Sequence, residues 1–106
     1  MREVTEMVWL DAREVLTLSE LEEACAVRAA ELQELVDEGV LQPVQRGELV
    51  GVFSAEYVMP LRKASRLRQD FDLDLFTVGL LLEYLLRIDA LETKVHSLQA
   101  RLGQLS

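Results

Sequence analysis

The order of apolar and polar positions divides the chain into several short elements and one long one. Val4, Met7 and Trp9, then Val15, Leu16, Thr17 and Leu18, are strand formers broken by Asp11 and Arg13, so residues 4–18 read as extended, with Trp9 packed inward. Thr17-Leu18-Ser19-Glu20 fits a capping box, with Ser19 to Leu21 opening a first helix whose Leu21, Ala24 and Cys25 share one side. A break at Ala26-Val27 leads to a second helix carrying Leu32, Leu35 and Val36 and closed by Gly39. Residues 40–43 form an exit loop, because Pro43 cannot continue a helix. Residues 45–53 read as a small hairpin turning at Arg46-Gly47-Glu48. Ser54 then caps a third helix over residues 55–69, with Leu61, Ala64, Leu67 and Arg68 on one face and Pro60 expected to kink it or delay its regular part. Residues 70–74 are a polar break in which Asp72 or Asp74 caps the fourth helix.

That fourth helix, over residues 75–102, is the longest. Leu81, Tyr84, Ile88, Leu91, Val95, Leu98, Leu102 and Leu105 alternate at spacings of three and four, which is a heptad seam. Leu80, Leu82, Leu85 and Leu86 make its early part apolar all round, so burial against the first three helices is expected there. Beyond that only the seam is apolar, and no other part of the sequence is left to cover it, so a second copy is the expected partner. Leu91, Val95, Leu98, Leu102 and Leu105 are the candidate dimerisation residues. The chain thus divides into an N-terminal unit, residues 1–70, and a C-terminal helix, residues 71–106, that first packs on the core and then pairs.

Composition narrows the function. The chain has 106 residues and a net charge of −8, half of them apolar, which suffices for one domain with a core. Its acids are concentrated: residues 1–56 hold 13 acids and 4 bases, while residues 57–106 are close to neutral. One cysteine excludes an internal disulfide framework and fits a reducing compartment. No apolar run approaches the roughly 20 residues of a membrane span, and the acidic N-terminus does not read as a signal peptide. A cytoplasmic protein without membrane contact is expected. Enzyme chemistry finds little support: His96 falls on an exposed helix, Cys25 on an apolar face, and no spacing fits a metal, a cofactor or a phosphate loop.

Helix, turn, helix, hairpin, helix and long coiled coil is a layout that resembles the MerR-type winged helix-turn-helix. Leu18-Ser19-Glu20-Leu21, Glu38-Gly39-Val40-Leu41-Gln42-Pro43 and Val52-Phe53-Ser54-Ala55-Glu56 resemble that family's first-helix start, second-helix exit and wing-to-helix passage. Within the group, Ala64-Ser65-Arg66-Leu67-Arg68-Gln69-Asp70-Phe71-Asp72-Leu73-Asp74, with the leucine-rich helix after it, is similar to chaperone modulatory proteins of the CbpM type. That resemblance spans residues 15–105. It implies a mainly α, MerR-like winged fold and a dimeric bacterial protein that binds the J-domain of a CbpA-type DnaJ homologue. Such binding blocks stimulation of the Hsp70 partner and modulates the co-chaperone's own DNA binding. The sequence departs from the family at Cys25-Ala26-Val27-Arg28, which lacks the usual turn glycine and a Ser/Thr/Asp cap, and at Pro60.

A DNA-reading second helix must sit among phosphates spaced at one charge per ~1.7 Å of duplex. Here it offers Arg28, Glu31, Gln33, Glu34, Asp37 and Glu38, one base against four acids, and the wing's Arg46 is offset by Glu48. Direct binding of nucleic acid is therefore not expected. An acidic face also aids solubility, but it would attract the basic helix that J-domains present. Glu31, Glu34, Asp37 and Glu38 are the candidate partner-binding residues, with Arg62 and Arg66 of the basic third helix next in line. The alternative is a MerR-like DNA-binding transcriptional regulator. An effector-sensing domain is disfavoured, because nothing comes after the coiled coil to form a pocket.

Overall fold

The computed structural model describes residues 14–105. The expected extended stretch before residue 14, Trp9 included, lies outside them. Strand β1 (Val15–Leu16) leads into helix α1 (Leu18–Cys25) and helix α2 (Ala29–Asp37). Strands β2 (Val44–Arg46) and β3 (Leu49–Ser54) form the wing, succeeded by a 3-10 turn (Ala55–Tyr57), α3 (Val58–Phe71) and α4 (Leu75–Leu105). The mainly α, winged helix-turn-helix layout with a long terminal helix is what the sequence predicts.

Local chemistry sets the boundaries. The Thr17 capping box is formed: the Glu20 N–H donates to Thr17 Oγ1 at 3.2 Å and the Thr17 N–H to Glu20 Oε1 at 2.9 Å. The helix consequently starts at Leu18, one residue before the expected position, and the described strand before it is Val15–Leu16. Those two pair antiparallel with Ser54 and Phe53, so the hairpin becomes a three-stranded sheet of order β1-β3-β2. Val44 pairs with Val52 but Gln45 with Val50, which leaves Gly51 as the extra residue of a bulge. Its φ of +68° is a conformation that glycine adopts without steric cost.

Two expectations about the later helices are corrected. Ser54 caps the 3-10 turn, accepting from the Glu56 N–H, and the α-helix itself begins at Val58 and runs on to Phe71. Pro60 is therefore the third residue of α3, where a backbone N–H has no helical partner, and it causes no interior kink. Helix α4 is buried early on one side only: Val78, Gly79 and Leu82 are buried, while Leu80 and Tyr84 are exposed. Asp74 is its cap, accepting from the Thr77 N–H at 2.8 Å.

The core joins Leu16, Leu21, Cys25, Val27, Leu32, Leu35, Leu41, Phe53, Val58, Leu61 and Leu82. Cys25 Sγ donates to the Val58 carbonyl at 3.7 Å, and burial pushes its thiol up to about 12. It packs as a small hydrophobe and should resist a thiol reagent until the chain unfolds. Ala26 ends α1 at φ +58°, a left-handed conformation that costs an L-residue about 1–2 kcal/mol. Ala26→Gly should raise unfolding stability by about 1 kcal/mol, read as a higher urea midpoint at unchanged slope.

Candidate functional site

Helix α2 occupies the recognition position, and three contacts fix it there. Arg28 precedes it with no side-chain cap; instead the Glu22 carboxylate of α1 accepts from the Ala29 N–H at 2.6 Å. The missing cap is thus supplied by the neighbouring helix. At the other end Gly39, at φ +81°, turns the chain so that its N–H reaches the Val36 carbonyl and the Val40 N–H the Leu35 carbonyl. Leu32 and Leu35 point into the core.

The third contact has no local signal in the sequence. Arg68 of α3 donates to Glu31 Oε2 at 2.6 Å, and Arg28 approaches the same oxygen at 3.5 Å. Proximity along the chain pairs the basic face of the third helix with Asp70 and Asp72; the observed partner of Arg68 lies 37 residues earlier. The Glu31 side chain is only 13% exposed, and the Arg68 hydrogen bond holds its carboxyl below the ordinary glutamate range. Glu31 thus differs from the other three candidate acids: it is tied to the fold.

Glu34, Asp37 and Glu38 are exposed on the outer side of α2. Gln33 Nε2 donates to Asp37 Oδ1 at 3.1 Å, while Glu34 and Glu38 make no ion pair among the described residues. Arg28, 82% exposed, is the one base of residues 28–38; it stands at the opposite end of α2 and leans toward Glu31. On the wing, Arg46 is paired with Glu14 at 2.9 Å, and Val50 is 74% exposed. A wing tip with one neutralised base and exposed valine and leucine has little to offer a phosphate.

Arg62, Lys63 and Arg66 are exposed on α3, the helix whose Arg68 binds Glu31 of α2. Leu91, Val95, Leu98 and Leu102 lie in line on α4, each about half exposed or more; the Leu105 side chain lies outside the described part. Leu81, the expected first seam position, is half-buried. His96 is exposed and faces a groove of about 940 Å³ between the wing base and α4, floored by Met59 and Leu86. The sequence pattern provides for no such groove. Among the described residues no group of His, Cys, Asp or Glu is placed to hold a metal, and no helix is long and apolar enough to cross a membrane.

The family pattern described as MerR HTH family regulatory protein matches residues 16–100. The chain belongs to this family, whose reading-head architecture is the one seen here. No curated protein matches it.

The Glu31–Arg68 contact has a pH signature. A carboxyl lowered in the folded state contributes stability that is complete above its unfolded value, about 4.3, and is lost as pH falls through the folded one. Arg68→Met should cost about 1–3 kcal/mol at pH 7 and flatten the decline in stability below about pH 4.5, measured by urea unfolding at stepped pH.

Proposed function

We propose that this member of the family uses its reading head on a polypeptide: it binds the J-domain of a CbpA-type DnaJ homologue, keeps that domain from stimulating its Hsp70 partner, and dampens the co-chaperone's DNA binding. The role is one of cytoplasmic binding without catalysis or cofactor, carried out as a homodimer joined through the α4 seam. The observation that carries this reading is the outer face of α2, where Glu34, Asp37 and Glu38 stand exposed and the helix's one base, Arg28, sits at its other end, drawn toward Glu31. Carboxylates at that position repel a duplex and attract a basic helix, chiefly by speeding encounter. The resemblance of residues 64–74 to the chaperone modulators supplies the identity of the partner.

The family match and the exposed Arg62, Lys63 and Arg66 favour a second reading, a MerR-like transcriptional regulator that grips DNA through α3. Two measurements separate them. The J-domain of the host's DnaJ homologue should bind the purified protein, and Glu34→Lys with Asp37→Lys should slow association by about tenfold at low salt, with the deficit shrinking as salt rises. No shift of genomic duplex fragments should appear at ~50 mM salt; a shift lost with Arg62→Glu and Arg66→Glu would establish the regulator instead. For the seam, Leu91→Asp with Leu98→Asp should convert the dimer to monomer in sedimentation.

A further inference from the structure

Gly79 is where α2 meets α4. A β-carbon at Gly79 would stand 3.4 Å from Leu35 Cδ2, 3.7 Å from Val40 Cγ2 and 4.0 Å from Glu38 Oε2. One flank of Gly79 on α4 is the core side, with Leu82 fully buried. The other flank carries Phe76, Leu80 and Glu83, at spacings of four and three, so they form one ridge along the helix. Glu38 is exposed, so its carboxylate borders this outer flank. Phe76 is 65% and Leu80 42% exposed. Glu38 and Glu83 thus edge a patch of two large apolar side chains, with Glu34 exposed one turn before Glu38 on α2 and Arg87 one turn after Glu83 on α4, leaning over Tyr84.

The seam accounts for only part of this patch. At about 100° per residue, Phe76 points roughly 80° away from Tyr84 around the α4 axis and Leu80 roughly 40°, so a partner helix on the heptad stripe flanks Leu80 and leaves Phe76 uncovered. A contact between this patch and a different surface of another copy would be heterologous and would propagate into an open chain, whereas the seam closes on itself.

We infer that Phe76 and Leu80, with Glu34, Glu38 and Glu83, dock one amphipathic basic helix of another protein. Its apolar residues at four-residue spacing lie on the Phe76–Leu80 ridge, and its Lys and Arg side chains reach the flanking carboxylates. This rests on the polypeptide-binding reading above and places its contact across two helices, with apolar anchors that the acids of α2 lack. The acids set the approach and the apolar pair the lifetime of the complex.

The test uses the full-length dimer and two probes: a synthetic Leu/Lys amphipathic helical peptide and the co-chaperone's J-domain. Phe76→Ser with Leu80→Ser changes exposed positions, and circular dichroism checks that the fold is kept. The double variant should bind the peptide and the J-domain about tenfold more weakly, mainly through faster dissociation and at all salt concentrations. Titrating the peptide into the wild type should move the amide resonances of Phe76, Leu80, Glu38 and Glu83. Binding by the double variant within twofold of wild type, or unmoved resonances at these residues, overturns the inference while leaving an α2 contact possible. Loss of the dimer in the double variant also overturns it, since the patch would then belong to the seam. Peptide binding at the patch without J-domain binding would uphold the docking surface and refute the proposed partner.

Discussion

The nine residues of α2 cannot hold themselves in place. A helix this short is marginal alone, and its buried face amounts to Leu32 and Leu35. Its pose depends on being gripped from three directions: Glu22 of α1 at the first turn, Arg68 of α3 on the flank, and the side-chain-free surface of α4 at Gly79 behind its last turn. The Arg68–Glu31 contact is the most demanding of these, because a largely buried carboxylate must keep its cation. It also ties the helix after the wing to the reading head.

That grip divides the acids of α2 into two kinds. Glu31 is committed to the fold, and its negative charge is balanced inside the molecule. Glu34, Asp37 and Glu38 are not balanced in this way, so the face presented outward keeps its sign even though four acids have become three. The wing obeys the same logic, since its single arginine is engaged by Glu14. Shape and charge therefore point to different ligands: the fold is that of a duplex reader, and the potential over its tip is that of a surface for cations.

Much of the fold is legible in the sequence because its signals are local. The Thr17–Glu20 box, the glycine closure at Gly39, the hairpin turn at Gly47 and the Asp74 cap each lie within a few residues and act through their own backbone. The features that escape it are non-local. The Glu31–Arg68 pair joins residues far apart in sequence, whereas charge counting along the chain favours near neighbours such as Asp70 and Asp72. The capping of α2 by Glu22 is hidden for the same reason: the local sequence says only that a cap is missing. Of the two effects expected of Pro60, the delayed regular helix is the one seen: the 3-10 turn shifts the start to Val58, and a proline's effect depends on its distance from that start. Of the candidate site, the acidic face is legible in sign, but periodicity alone does not single out Glu31 as buried.

Helix α4 shows how one periodic sequence serves two surroundings. Up to Leu86 its inward residues, Val78, Gly79 and Leu82 among them, belong to the domain; beyond it the same bearing carries Asp89, Thr93 and His96 and faces the open groove. On the opposite side the apolar line runs from Tyr84 to Leu102 with no cover from its own domain. The burial of α4 thus ends around residues 86–88 while an apolar line continues on the other side, so a sequence that looks apolar all round there is two half-faces overlapping. Its early leucines suggest uniform burial because overlap and full burial give the same composition. The packing distinguishes them, for α3 and, at Gly79, the end of α2 occupy one side of the helix and leave Leu80 and Tyr84 turned to solvent. At Gly79 the end of the recognition helix lies within van der Waals reach of α4, which brings its acidic end beside the apolar beginning of the long helix.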